Sequence, residues 1–160
     1  MAVASQLCAL GSYCPAGSSA STPCVPGSYA NVTGLSACLP CPATAFCPGG
    51  TVNPAPCPAG SYCPASTQLG TQFPCPVGTF SAAPSLATAS QCTPCTAGFY
   101  CATAGLTTPT AACAAGFFCV LGANVSAPVA GLAAGYTCSV GTGTYNASTC
   151  VALTLLPLLL

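Results

Sequence analysis

The chain has 160 residues and contains no Lys, Arg, Asp, Glu or His, whereas about a quarter of the residues in an ordinary soluble domain are charged. Acid/base catalysis near neutral pH normally uses these residues, Tyr or Cys, and binding of nucleic acid or anionic lipid requires Lys or Arg. The composition therefore predicts a protein that is not an enzyme, has no catalytic residues and binds neither nucleic acid nor a small-molecule substrate.

Residues 1–7 form a short N-terminal segment ahead of the first repeated motif. The segment lacks the basic start and the sustained apolar stretch of a secretory signal peptide. We therefore expect no intact signal peptide in it.

Residues 8–150 consist of eight tandem copies of the motif Cys-x-x-Gly-x-(Tyr/Phe). We call them repeats 1–8 and number each position by its distance from the first cysteine. The repeats begin at Cys8, Cys24, Cys41, Cys57, Cys75, Cys95, Cys113 and Cys138. Glycine occupies position 3 in seven of them, and the exception is Thr44 of repeat 3. An aromatic residue occupies position 5 in seven: Tyr13, Tyr29, Phe46, Tyr62, Phe80, Tyr100 and Phe118.

Each motif position has a physical explanation. The glycine is expected to turn the chain tightly with a positive φ, where a β-carbon would clash. The aromatic ring is expected to lie over a disulfide or over the ring of the next repeat, forming an aromatic ladder in place of a core. Proline often precedes the first cysteine and favours extended chain. These features predict a small disulfide-rich fold, mostly irregular with short β-hairpins, extended as an elongated rod of about eight units.

Sixteen cysteines, one residue in ten, indicate a secreted disulfide scaffold. Joining each motif cysteine to the next cysteine uses all sixteen. This sequential map is Cys8–Cys14, Cys24–Cys38, Cys41–Cys47, Cys57–Cys63, Cys75–Cys92, Cys95–Cys101, Cys113–Cys119 and Cys138–Cys150. An interlaced map instead pairs Cys41 with Cys57 and Cys47 with Cys63, treats Cys95, Cys101, Cys113 and Cys119 likewise, and leaves Cys8 and Cys14 for a neighbouring subunit. The sequence leaves both maps open.

Two Cys-x-x-Cys segments, at Cys38–Cys41 and Cys92–Cys95, have the spacing of a zinc site or a redox dithiol. Neither has His or a charged neighbour, and each cysteine already has a place in the bridge pattern. We therefore expect no metal and no cofactor other than covalent glycans.

Three Asn-x-(Ser/Thr) sequons, at Asn31, Asn124 and Asn146, are candidate N-glycosylation sites in a secreted chain. Ser and Thr residues among Pro and Ala also suggest O-linked sugars. Sugar would supply the hydration that an uncharged surface lacks.

Residues 151–160 form an apolar C-terminal tail. Ten residues are too few for a helix to cross a bilayer. We expect the tail to pack as a buried segment.

The motif Cys-Pro-x-Gly-(Ser/Thr)-(Tyr/Phe) followed by Cys-x-x-Cys resembles the ephrin-receptor-like cysteine-rich repeats of secreted and cell-surface proteins, over roughly residues 8–150. It is more loosely similar to EGF-like and tumour-necrosis-factor-receptor modules. The resemblance implies an elongated, disulfide-laddered rod. The missing charge departs from receptor ectodomains of this style, which normally use charged residues to choose a ligand.

These features predict an extracellular structural protein, a self-assembling subunit of a glycosylated filament or surface coat whose partners are copies of itself. The alternative is a spacer or recognition segment of a cell-surface receptor or adhesin. A third hypothesis is a small cysteine-rich defence or ice-binding protein, the latter suggested only by Thr142-Gly-Thr144.

Overall fold

The computed structural model describes residues 8–18, 20–114, 117 and 119–127, and the backbone of 136–138 and 150–152. The chain divides into two compact units. One consists of Met1–Pro74 with Ala83–Cys92, and the other of Cys75–Ala82 with Thr93–Leu160. We describe the two units separately.

The regular structure consists of short antiparallel hairpins in tandem. The paired strands are β1 (Ser12–Tyr13) with β2 (Thr22–Pro23), β3 (Ser28–Tyr29) with β4 (Leu39–Pro40), β5 (Ala45–Phe46) with β6 (Ala55–Pro56), β7 (Thr79–Phe80) with β8 (Thr93–Pro94), β9 (Phe99–Tyr100) with β10 (Ala111–Ala112), and β11 (Tyr136–Cys138) with β12 (Cys150–Ala152). A 3₁₀ turn spans Ala89–Gln91. The predicted class, disulfide-rich with short hairpins, is confirmed.

The motif itself determines where the hairpins form. The first strand of β1–β2, β3–β4, β5–β6, β7–β8 and β9–β10 covers positions 4 and 5 of a repeat, and its partner immediately precedes the next repeat's first cysteine. Proline commonly ends that partner strand, so that Ser28 faces Pro40 and Thr79 faces Pro94. Proline has no N–H for a ladder and is tolerated on edge strands, which two-stranded sheets always provide. The pairing therefore stops after two residues.

The core of the described residues consists almost entirely of sulfur-bearing side chains. The buried apolar residues are thirteen cysteines and two alanines: Cys8, Cys14, Cys24, Cys41, Cys47, Cys57, Cys63, Cys75, Cys92, Cys95, Cys101, Cys113, Cys119, Ala30 and Ala45. Position 6 is buried even where it is not cysteine, since Ala30 is 0% and Ser81 4% exposed. Disulfides thus take the place of the Leu, Ile and Val side chains of a larger domain.

Six disulfides in the described residues follow the sequential map. They are Cys8–Cys14, Cys24–Cys38, Cys41–Cys47, Cys57–Cys63, Cys95–Cys101 and Cys113–Cys119. Their Cα atoms lie 5.8–5.9 Å apart, within the usual range for a disulfide. The interlaced map is wrong, because the hairpin turn at position 3 brings positions 0 and 6 of one repeat together.

The remaining four cysteines are less fully described. Cys75 and Cys92 are both disulfide-bonded. The register of β11 and β12 places the backbone of Cys138 opposite that of Cys150. The side chains of Cys138 and Cys150 lie outside the described residues.

In the described residues, consecutive repeats from 1 to 4 and from 5 to 7 are joined by a recurring set of four backbone hydrogen bonds. The N–H at position 3 of one repeat donates to the carbonyl at position 6 of the next repeat, as from Gly27 to Cys47 at 2.8 Å. The carbonyl at position 3 accepts from the N–H at position 0 of the next repeat, as in Cys41 to Gly27 at 2.9 Å. The N–H at position 9 or 10 of the next repeat donates to the carbonyl at position 0 of the earlier repeat, as from Gly50 to Cys24 at 2.8 Å. The N–H at position 6 of the earlier repeat donates to the carbonyl at position 10 or 11 of the next repeat, as from Ala30 to Thr51 at 3.0 Å. Backbone atoms alone therefore fix the register between repeats.

The predicted positive φ at position 3 is confirmed wherever the residue is described. Gly27 has φ +85° and Thr44 has φ +76°. Thr44 is exposed, whereas Gly11, Gly27, Gly60, Gly78 and Gly98 are buried. The one non-glycine residue at this position therefore stands where its side chain extends into solvent.

Candidate glycan sites and interaction surface

The Asn31 sequon lies on an exposed turn. Asn31 follows the buried Ala30, and Asn31, Val32 and Thr33 are all exposed. The turn closes at Gly34, whose N–H donates to the Cys8 carbonyl at 3.3 Å. Exposed, irregular chain of this kind is accessible to a glycan-transferring enzyme.

The Asn124 sequon is also exposed but lies closer to another repeat. The Asn124 Cβ is 3.9 Å from the place where Gly78 would carry a β-carbon. Ser126 is half-buried, and its carbonyl accepts a hydrogen bond from the Ala114 N–H at 3.0 Å. The third sequon, at Asn146, lies outside the described residues.

The six described aromatic rings at position 5 are half-buried, and two of them pack toward the next repeat. Tyr29 packs against the buried cluster of Cys41, Ala45 and Cys47, and so lies against the next repeat's disulfide. Phe46 packs so closely on Gly70 that a β-carbon there would be 2.9 Å from the ring. The Gly70 carbonyl oxygen in turn lies 4.0 and 3.9 Å from the two sulfurs of the Cys57–Cys63 disulfide. These two rings thus cover the sulfur core of the following repeat.

A ring-on-ring contact occurs within a repeat. Tyr62 stacks on Phe73 with ring centroids 5.6 Å apart and planes inclined by 29°. Phe73 lies outside the motif, one residue before Pro74, so this pairing was not visible in the repeat pattern. Tyr13, Phe80 and Tyr100 are half-buried, and Phe118 lies outside the described residues.

An open groove of about 320 Å³ lies on the first compact unit. Tyr13, Val25, Ser28, Ala37 and Cys38 line it. Val25 is 66% exposed there, and the Ser28 hydroxyl donates to the Val25 carbonyl at 2.7 Å. The groove is therefore suited to an apolar side chain or the apolar face of a sugar.

Several large apolar side chains of the described residues are exposed. They are Leu10, Val25, Val32, Leu39, Leu69, Val77, Phe99, Val120, Leu121 and Val125. Singly exposed apolar side chains are normal. The chain has no charged side chain, so the surface of the described residues presents polar uncharged and apolar groups.

The described cysteines of the two Cys-x-x-Cys segments are all in disulfides. Cys38 is bonded to Cys24 and Cys41 to Cys47, so the two thiols of the first segment belong to different disulfides. Cys95 is bonded to Cys101, and Cys92 is also in a disulfide. In the part of the chain that the structure describes, no group of three or more metal-ligating side chains comes together.

Repeats 1 to 7 each have a second left-handed position, which the motif did not predict. Position 9 or 10 has positive φ in the described repeats: Gly17, Gly34, Gly50, Ser66, Ser85, Gly105 and Gly122. Its N–H donates to the preceding repeat in every repeat from the second to the seventh. Glycine recurs in this region of the sequence, but its distance from the first cysteine is 9 residues in some repeats and 10 in others, so it does not form a fixed position of the motif.

No described helix is long and apolar enough to span a membrane. Comparison with known proteins found no matching family model and no similar curated protein. The structure defines a cysteine-rich protein built of tandem disulfide-bonded hairpin repeats. So many disulfides are characteristic of an oxidising, extracellular environment.

Proposed function

We propose that this chain is an extracellular structural protein, a self-assembling subunit of a glycosylated filament or surface coat. It carries no enzymatic activity and requires no cofactor beyond its covalent glycans. Its partners are copies of itself, and its surface engages neither nucleic acid nor a small-molecule substrate. The protein functions through its fold and its surface.

The recurring four-bond connection between successive repeats is the observation that carries this proposal. The connection uses backbone N–H and C=O groups, as between Gly27 and Cys47. Such bonds depend on local conformation and little on side-chain identity. A repeat that joins its neighbour in this way is suited to join an equivalent repeat of another molecule.

The uncharged surface and its exposed sequons support the same proposal. Without charged side chains, neighbouring subunits do not repel one another electrostatically. Glycans at exposed sequons such as Asn31 would keep the assembled surface hydrated. Extracellular polymers with these properties need no catalytic site.

The resemblance of the motif to ephrin-receptor-like repeats supports a second candidate, a spacer or recognition segment of a cell-surface receptor or adhesin. The groove beside Tyr13 and Val25 favours it, because a monomeric spacer would leave that groove open to a ligand. This candidate predicts a monomer in solution.

Secretion from a eukaryotic cell, followed by sedimentation velocity and electron cryo-microscopy, tests the proposal. We expect concentration-dependent assembly into regular filaments or sheets, with glycan mass that decreases in Asn31→Gln. A protein that remains monomeric at every concentration would overturn the structural role and support the receptor spacer. Assembly without any glycan would contradict the proposed glycosylation and leave the proposed self-assembly standing.

A further inference from the structure

The residues at positions 7 and 8 distinguish the repeats that carry sequons from those that do not. In repeat 7 these positions hold Val120 and Leu121, and in repeat 2 position 8 is Val32. In the sequence of repeat 8, Tyr145 stands at position 7, directly before the Asn146 sequon. The five repeats without a sequon have small or polar residues or proline there: Pro15-Ala16, Pro48-Gly49, Pro64-Ala65, Ala82-Ala83 and Ala102-Thr103. Large apolar side chains at these positions therefore accompany glycan acceptors.

In repeat 7 an apolar patch lies beside its sequon. Val120 is 57%, Leu121 66% and Val125 49% exposed, and Asn124 is itself exposed. Singly exposed apolar side chains are normal, but several on one short segment form the kind of surface that associates with other molecules. We call Val120, Leu121 and Val125 the repeat 7 patch.

The backbone holds Asn124 and the repeat 7 patch on one closed loop. The Ala123 N–H donates to the Val120 carbonyl at 3.1 Å, which forms a tight turn just before the asparagine. The Cys119 Sγ lies 3.5 Å from the Val125 carbonyl oxygen, so the two ends of the loop meet. A sugar attached to Asn124 therefore begins on the same small loop that carries the patch.

The composition of the chain makes a sugar the natural cover for this loop. Proteins usually intersperse charged side chains with exposed apolar ones, and this chain has no charged side chain. An N-glycan is bulky and solubilising. Apolar side chains beneath it are removed from water, which is favourable, while its outer face remains hydrated.

We infer that the N-glycan on Asn124 lies over the repeat 7 patch and shields it from apolar partners. The inference rests on the proposed glycosylation and gives one of the sugars a specific role. Exposed Val32 beside Asn31 has the same relationship on a smaller scale. The patch of repeat 7 is the larger of the two and therefore gives the sharper test.

Hydroxyl-radical footprinting of the full-length secreted protein tests whether the sugar covers the patch. Asn124→Gln and Ser126→Ala remove the sequon through different residues, and Ser126→Thr keeps it. We expect labelling of the three patch residues to increase in the first two variants and to match wild type in Ser126→Thr. Leu69, which is 60% exposed and has no sequon beside it, is the internal control and should be labelled equally in all four proteins. Mass spectrometry of peptic peptides verifies the sugar on Asn124.

Binding of an apolar fluorescent dye tests the shielding itself. We expect Asn124→Gln to increase dye binding, and we measure this increase in the wild-type, Leu121→Ser and Leu69→Ser backgrounds. Leu69→Ser is the matched control, because Leu69 and Leu121 are exposed to similar degrees, 60% and 66%. The increase should be reduced in the Leu121→Ser background and undiminished in the Leu69→Ser background.

Each contrary result would overturn the inference in a distinguishable way. Unchanged labelling of the patch after loss of the sugar would show that the sugar does not cover it. An equal rise at Leu69 would show that the whole fold had loosened, and an equal dye increase in the two serine backgrounds would show that the dye binds elsewhere. A wild type with sugar on Asn31 and none on Asn124 would overturn the shield and leave the proposed glycoprotein standing. A wild type without sugar at any sequon would overturn both, whereas self-assembly is measured independently.

Discussion

A β-carbon on Gly27 would lie 2.5 Å from the carbonyl oxygen of Ser66, two repeats further along the chain. Gly78 has the same relationship to Gly122, also at 2.5 Å. Real β-carbons do not approach an oxygen so closely, so glycine at position 3 permits contact between alternate repeats as well as the left-handed turn.

Gly27→Ala is therefore expected to destabilise the fold more than Gly50→Ala. Both residues have positive φ, which costs alanine about 1–2 kcal/mol. A β-carbon at Gly50 meets no atom within 4 Å, whereas at Gly27 it meets the Ser66 carbonyl. We expect Gly27→Ala to cost about 1–3 kcal/mol beyond the control, measured by urea unfolding with the disulfides intact. Equal losses would show that the close approach to Ser66 contributes nothing.

The bridge of repeat 2 is expected to be exchangeable for the bridge of repeat 3. Ala30 is buried at position 6, where Cys47 in repeat 3 bonds with the first cysteine of its repeat. In the double variant Ala30→Cys/Cys38→Ala we expect Cys24 to bond with the new thiol at position 30.

Non-reducing peptide mapping with pepsin would identify the new bridge, since a chain without Lys or Arg has no site for trypsin. Cys38→Ala alone is the control, and we expect it to leave one thiol that reacts with maleimide. A reactive pair of thiols in the double variant would contradict the equivalence of Ala30 and Cys47.

The disulfide beneath Tyr29 is expected to contribute more stability than a bridge that encloses a loop of the same length in repeat 1. Cys41–Cys47 and Cys8–Cys14 both close loops with a sequence separation of 6. The chain-entropy contribution of each is therefore the same, about 2 kcal/mol. Cys41 and Cys47 are 0% exposed and belong to the cluster that Tyr29 covers. Cys8 and Cys14 are also buried, at 2% and 7% exposed, but belong to no such cluster among the described residues.

Replacing both cysteines of a bridge with alanine tests this difference. We expect the Cys41/Cys47 variant to be less stable than the Cys8/Cys14 variant by about 1–3 kcal/mol, because it also removes the sulfur atoms on which the Tyr29 ring packs. Thermal unfolding followed by circular dichroism provides the comparison. Identical midpoints would mean that the ring contact adds nothing to the crosslink.

Much of this fold could be predicted from the repeated motif, because each prediction depended on neighbouring residues. The strand at Ser28–Tyr29 and the left-handed turn at Gly27 follow from local sequence. The contact of Gly27 with Ser66 could not be predicted, because it depends on how alternate repeats are arranged in space. The stacking of Tyr62 on Phe73 was missed because Phe73 occurs in one repeat only.

The candidate sites were predictable to a different degree. The sequons at Asn31 and Asn124 are local patterns, and both asparagines are exposed. The second left-handed position of the described repeats, such as Gly50, was not predictable, because it varies by one residue between repeats and is serine at Ser66 and Ser85.

Stability is expected to be independent of pH between about pH 3.5 and 7, because no side chain of this composition titrates in that range. The variant to compare with wild type is Gln91→Glu, which introduces a single side-chain carboxylate. The Gln91 Oε1 accepts hydrogen bonds from the N–H groups of Ala87 and Thr88, the latter at 3.1 Å. A carboxylate at residue 91 would keep these bonds, and they would lower its pKa below the unfolded value of about 4.3.

Because the folded-state pKa is lowered, the direction of the pH dependence of stability is determined. The stabilisation of Gln91→Glu should be present above pH 4.3 and should disappear as the pH falls through the folded-state pKa, while wild type stays constant. Urea midpoints measured at intervals from pH 2.5 to 7 provide the test. A wild-type midpoint that changes across pH 3.5–7 would contradict the assumption that nothing in the folded chain titrates there. A variant without acid dependence would show that these hydrogen bonds do not lower the pKa of the carboxyl group at residue 91 in the folded state.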